Sequence, residues 1–219
     1  MSMHHPDDDL LLSLAVGSLD RASAIVIAAH LEGCTDCCQR LELLEAVGGE
    51  MLADIEPVEM EVGAFSRTLE RLDPLPALPT APAASARPRP DLPAGMHWPR
   101  SLEGCDITPW KRLGPGMRWS RITVPGDPQA NAFLLRMAAG MQLAAHTHGG
   151  RELTQVLYGA FDDGRDVWRA GDLDETDGDV HHRPVVTADS ECICLVALTG
   201  GRTRFDGLIA RALGAWMGI

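Results

Sequence analysis

Apolar and polar positions change their period along the chain. Over the first third the period is helical. Leu10, Leu11, Leu14 and Ala15 form one face after the acidic start Asp7-Asp8-Asp9, and Gly17 stops the run. Ala24, Ile25, Ile27, Ala28 and Leu31 mark a second helix, capped by Ser18 or Asp20 and closed near Gly33. A third is predicted from about Thr35 to Val47 through Leu41, Leu43 and Leu44, with Gly48-Gly49 as its end. A fourth is predicted from about Glu59 to Leu72, with Val62, Phe65, Leu69 and Leu72 three and four apart. Unless something local covers Phe65 and Leu69, that face wants a partner.

Between residues 74 and 96 apolar bulk almost vanishes. Seven prolines and six alanines in these 23 positions predict a semi-extended tether, which divides the chain into 1–73, a linker and 97–219. Beyond it the period shortens. Strands are predicted at Ile107–Leu113, Met117–Val124, Ala132–Met137, Leu143–His148, Leu153–Leu157, Asp166–Arg169 and Cys192–Leu198, with glycine or acidic turns between them. An antiparallel sandwich or barrel fits this spacing. Phe133, Leu135 and Met137 are expected inside it with Val156 and Leu195, and Trp110, Trp119 and Trp168 in its wall or core. From Phe205 to Ile219, Leu208, Ile209, Leu213 and Trp216 trace an amphipathic C-terminal helix folded back over the barrel. Arg204 and Arg211 give its polar side too little charge for a membrane surface.

Charge sharpens the division. The net charge of −12 is concentrated in residues 1–73, which carry 15 acidic against 4 basic side chains. Such a surface repels a phosphate backbone and suits a basic protein partner, so direct nucleic-acid binding is not expected. The sequence has no signal-like start and no apolar run of about 18 residues, so a cytoplasmic location without membrane insertion is expected. Its six cysteines do not form a secreted disulfide ladder; their paired spacings favour metal binding or redox sensing.

The chemistry of the first segment centres on His30-Leu-Glu-Gly-Cys34-Thr-Asp-Cys37. These three ligands meet at a helix–turn–helix corner and leave one tetrahedral position, which His5 fills if the N-terminus swings back. A zinc ion there would supply much of the folding free energy of so small a unit. A thioredoxin-like redox pair is disfavoured because no βαβ pattern surrounds the cysteines. Cys38 is expected to point elsewhere. The arrangement resembles the zinc-binding anti-sigma domain over residues 4–50. That resemblance implies three helices packed as one body and a fourth that also contacts a sigma factor, here through Val62, Phe65, Leu69 and Leu72.

In the second segment His146 and His148, two apart on a strand, face the same way. Glu152 follows the Gly149-Gly150 turn at the start of a return strand, giving nitrogen and oxygen ligands for a divalent metal such as zinc. A fourth ligand should come from a later strand, where His181-His182 precedes Pro184. Gly140 to Gly159 resembles the first cupin motif at every fixed position. The second cupin motif selects His182, although Asp177, Asp179 and Val186 stand where that motif has proline, glycine and asparagine. A cupin implies a double-stranded β-helix, or jelly-roll barrel, holding zinc or another divalent metal such as iron or manganese on His146, His148, Glu152 and His182. Cys192 and Cys194 share a strand face and are candidates for extra ligands, an oxidisable pair or inert core.

A small all-α zinc module tethered to an all-β metal cupin is similar to the ChrR family of cytoplasmic anti-sigma factors. The resemblance implies a non-enzymatic protein that inhibits a group IV, extracytoplasmic-function-type sigma factor and releases it on singlet oxygen or organic peroxide sensed by the cupin. The alternative is a dioxygenase-like cupin enzyme whose helical part serves oligomerisation or targeting. Tyr158, Arg151 and Glu191 are the nearest candidates for acid–base work in that reading.

Overall fold

The computed structural model of the protein describes residues 3–72, 90–201 and 203–206. Most of the predicted linker, and the predicted C-terminal helix from residue 207 onward, lie outside these residues. Among the described residues no helix is long and apolar enough to cross a membrane.

Four helices come first: α1 (Asp8–Ala15), α2 (Arg21–Leu31), α3 (Thr35–Ala53) and α4 (Ala64–Leu72). Gly17, at φ 69°, ends the first. Asp20 caps α2 by accepting the Ser23 amide at 3.0 Å. The third helix does not stop at Gly48-Gly49. Both glycines continue in helical geometry, because Glu50, Met51, Leu52 and Ala53 are good helix formers and outweigh a penalty of about 1 kcal/mol per glycine. The fourth starts later than its apolar spacing suggested. Gly63 turns the chain at φ 81°, and Arg67 bridges back to the Val62 carbonyl and Glu61.

Twelve strands follow among the described residues: β1 (Asp106–Ile107), β2 (Lys111–Gly114), β3 (Met117–Val124), β4 (Asp127–Met137), β5 (His146–Thr147), β6 (Arg151–Tyr158), β7 (Ala160–Asp162), β8 (Val167–Arg169), β9 (Leu173–Thr176), β10 (Val185–Val186), β11 (Cys192–Thr199) and β12 (Arg204–Phe205). The large sheet runs β1-β3-β4-β11-β6-β9, with β2 beside β3; β10-β7-β8 and β12-β5 form smaller sheets, and the pairings are antiparallel. This is the expected all-β barrel. Pro109 divides the predicted Ile107–Leu113 strand. Phe205, placed in a helix by its apolar spacing, instead pairs with His146.

The large sheet is buried on both faces. Its inner face contributes Trp119, Phe133, Met137, Val156, Cys194 and Val196, packed with Phe161, Trp168 and Val186 from the small sheet. Its outer face carries Ile122, Leu134, Leu153, Leu173, Leu195 and Ala197, and these share one core with Leu10, Leu11, Ala22, Val26 and Ile27 of α1 and α2. Leu195, expected inside the barrel, therefore faces the helices. It alternates with Cys194 and Val196, and α2 covers the apolar face so produced. That double burial explains why Cys192–Leu198 reads as an unbroken apolar run. The helices do not stand away from the barrel: α2 lies directly on β4, β6 and β11.

Candidate metal centres

The first centre forms where α2 ends and α3 begins. His30 is in the last turn of α2, Cys34 is the residue before α3 in extended geometry, and Cys37 follows one turn later. Residues 3–6 return across this corner. His5 Nδ1 lies 3.3 Å from Cys34 Sγ and 3.4 Å from Cys37 Sγ, and the His5 and His30 rings are perpendicular at 5.7 Å. Ligand atoms of His5, His30, Cys34 and Cys37 all lie within 4.8 Å of one another. Nitrogen and sulfur ligands on one tetrahedral zinc would be about 3.5 Å apart, given Zn–N and Zn–S bonds of about 2.0–2.1 and 2.3 Å.

The donor chemistry fits a cation. His30 Nδ1 is held by Gln155 Oε1 at 3.1 Å, while its Nε2 is buried without a hydrogen-bond partner. Burial and the neighbouring Cys34 push the Cys37 thiol up to about 12, so two thiolates side by side require a positive charge between them. Arg40 supplies part of it, with Nη1 3.8 Å from Cys37 Sγ while Nη2 donates to Pro6 O at 3.3 Å. Cys38 points away, its Sγ donating to Leu31 O at 3.1 Å.

The second centre lies in the barrel mouth. His182 Nε2 is 3.0 Å from His146 Nε2 and 3.2 Å from His148 Nε2, and Glu152 Oε2 is 3.3 Å from His148 Nδ1. Three imidazole Nε2 atoms this close repel unless a proton or metal lies among them; two nitrogens on one tetrahedral ion would be about 3.3 Å apart. Burial holds His146 down to about 3 and His148 to about 4, so both rings are neutral, as metal ligation requires. Burial also raises the Glu152 carboxyl to about 7, despite a hydrogen bond from Thr154 Oγ1 at 3.1 Å. His181 turns outward to Asp206 at 3.1 Å. Gly159 is obligatory at the end of this stretch: its φ is 72°, and a Cβ there would run into the Glu191 carbonyl.

Comparison with known proteins places the whole chain in one family. Residues 101–200 match the model of the ChrR cupin-like domain. Over 208 residues the chain is 37% identical to the anti-sigma-E factor ChrR of Cereibacter sphaeroides, covering 95% of this chain and 94% of that one. The chain belongs to the ChrR family. A crystal structure of Rhodobacter sphaeroides SigE in complex with the anti-sigma ChrR superposes with a TM-score of 0.70 at 34% identity, covering 90% of this chain and 99% of that one.

Around the barrel cluster stand groups the sequence pattern did not single out. Asp163 Oδ2 is 3.5 Å from His182 Nδ1, and Arg165 bridges Asp163 and Asp174. Burial opposes charge on Asp163, but hydrogen bonds from His182 and Arg165 outweigh it and hold the carboxyl below its usual range. Asp163 belongs to an acidic turn that reads as solvated, and only the β7–β8 fold-back carries it inward. Cys192 and Cys194 are reduced and buried with Sγ atoms 3.6 Å apart. Cys194 lines a cavity of about 70 Å³ with His146, Glu152 and His182.

The ChrR-family chain also leaves a long apolar surface uncovered. Val62 is 98% exposed, and Phe65, Leu69 and Leu72 of α4 are exposed as well. No residue of α4 is buried. Leu43, Val47, Met51 and Leu52 of α3, and Ile55 just after it, are exposed as well, a signal present in the sequence but hidden by ending that helix at Gly48.

Proposed function

We propose that this chain is a cytoplasmic, non-enzymatic anti-sigma factor. Residues 1–73 form its inhibitory unit, joined through 74–96 to a sensing cupin over 97–219. Its partner is a group IV sigma factor, and it binds neither nucleic acid nor membrane directly. The observation that carries this reading is the uncovered apolar surface of α3 and α4, on a chain 37% identical to a ChrR described as an anti-sigma-E factor. The relative forms a complex with SigE, and the exposed residues Val62, Phe65, Leu69 and Leu72 are the contact we assign to such a partner. An acidic helical unit would complement basic patches on the sigma factor.

His5, His30, Cys34 and Cys37 hold a structural zinc, and His146, His148, Glu152 and His182 hold zinc or another divalent ion. The first ion fixes the helix corner; the second supplies a Lewis-acidic centre for sensing. Glu152 and the Cys192–Cys194 pair face the signal, singlet oxygen or an organic peroxide, and their change loosens the complex.

Co-expression with the sigma factor tests the reading. The full chain should co-purify with it at two metal ions per chain. Phe65→Asp with Leu69→Asp should lose the sigma factor but keep both metals, and Cys34→Ala should lose the sigma factor and one metal. Undiminished sigma binding by both variants would refute the proposal.

A further inference from the structure

We propose that Gln155 and Asp172 are positioning residues for the His5/His30/Cys34/Cys37 centre, so that β6 and β9 couple it to the barrel centre. The inference rests on reading both clusters as metal sites, and extends it to how one senses the other. The juxtaposition lies in the strands. On β6, Glu152 and Thr154 point into the barrel beside Asp174 and Thr176 of β9, whereas Leu153 and Gln155 point to the helices. One strand thus presents a ligand of one cluster on its inner face and the support of the other on its outer face, three residues apart.

Gln155 is 3% exposed in an otherwise apolar surface, where an unsatisfied amide would cost about 1–3 kcal/mol. Its Nε2 donates to the Val156 carbonyl at 3.3 Å, which leaves Oε1 aimed at His30. His30 Nδ1–H donates to that oxygen, so the lone pair resides on Nε2, the buried nitrogen that has no hydrogen-bond partner and is left for the cluster. A metal-bound imidazole oriented through its other nitrogen is the ordinary arrangement, but here the orienting group comes from the barrel.

Asp172 acts on His5 through its neighbours. Its Oδ1 accepts the amides of Met3 at 2.7 Å and His4 at 3.2 Å, and Oδ2 accepts Arg169 N at 2.9 Å. Leu173 N, the first residue of β9, donates to His4 O at 3.3 Å. The His30 imidazole is therefore held by the outer side of β6, and the backbone next to His5 by Asp172 and the first residue of β9. The inner side of the same strands carries Glu152, Thr154 and Asp174 around His182. A displacement of either strand driven from the barrel centre moves His30 and His5 against the two thiols, and the effect is reciprocal in binding free energy.

Cobalt(II) titration of the full chain tests this. The thiolate-to-cobalt absorption reports the His/Cys cluster alone when all proteins carry Cys192→Ser and Cys194→Ser, because Cys194 lines the barrel cavity. In that otherwise wild-type background, crippling the barrel centre with His148→Ala should change cobalt affinity at the His/Cys cluster at least about 5-fold. Gln155→Leu should weaken that affinity roughly 10–100-fold, abolish the response to His148→Ala, and be rescued by Gln155→Glu, which keeps the acceptor. Leu153→Ala, on the same face, should lower stability but leave the response intact. If Gln155→Leu does not fold, Gln155→Asn, which withdraws the acceptor without adding bulk, is read the same way. Unchanged affinity in the Gln155 variant, or a response ratio equal to the wild type's, overturns the coupling while leaving both metal sites standing. Absence of any thiolate-to-cobalt band in the wild type removes the metal reading of the helical cluster and the coupling with it.

Discussion

His4 has no ligand role, yet it fixes where His5 sits. Its ring lies tilted against Trp168, centroids 4.3 Å apart, and is 3.0 Å from Asp166 and 3.3 Å from Asp172. Burial disfavours the imidazolium, but the two carboxylates outweigh it and raise its pKa above 6.5. Asp172 shows the converse: burial opposes its charge, and hydrogen bonds from Arg169, Met3 and His4 hold it below 3.8. The signs set a window. The His4 contribution is fully present below 6.5 and fades as pH rises through its raised value; the Asp172 contribution is fully present above 3.8 and fades as pH falls through its lowered value. The N-terminal strap should therefore be held most firmly between these limits. Amide exchange at Met3 and His4, corrected for intrinsic rates, should be slowest there, and His4→Asn should flatten the alkaline side. Protection that does not vary with pH would exclude this account.

At the scale of the element, α3 has two lives. Its first turn builds the His/Cys corner, with Cys37 fully buried, and its second half is a solvent-facing apolar ridge. Gly48 and Gly49 sit in the middle of that ridge in right-handed helical geometry, and a Cβ at either would meet nothing within 4 Å. Alanine at each position should therefore stabilise the helix by roughly 0.8–1 kcal/mol, seen as increased helicity and a higher Tm. A destabilising effect would mean that the helix breaks there in solution. If the ridge is the sigma contact, the same variants separate helix stability from partner affinity.

For the whole molecule the decisive fact is the shared core. Leu10, Leu11, Val26 and Ile27 are buried against Leu134, Leu153, Leu173 and Leu195, so α1 and α2 complete the outer face of the sheet. Removing the helices would expose that face to water, at about 25 cal/mol per Å² of apolar surface. Helices and barrel should consequently unfold together. Far-UV circular dichroism, which follows the helices, and fluorescence of Trp119 and Trp168, which are buried in the barrel, should give one superimposable denaturant transition. Two separated transitions would contradict a common core.

The order of elements, the barrel class and the residue types of both clusters were legible in the sequence, because each leaves a local trace. Helical spacing at Leu10–Ala15, the Cys34–Cys37 step and the His146–His148 pair need only the geometry of one turn or one strand. The choice of His182 over His181 rests on the resemblance to the second cupin motif, not on local spacing, and the structure buries His182 while His181 turns outward. What joins distant segments left no such trace. Leu195 facing α2, Phe205 pairing with His146, Asp163 behind His182 and Gln155 behind His30 all depend on which sheet face another element covers. Side-chain period says that two faces exist, but not what lies against each. Packing of α2 on β6 and β11 decided that, and in doing so set the support of one candidate metal cluster on the back of the strand that lines the other.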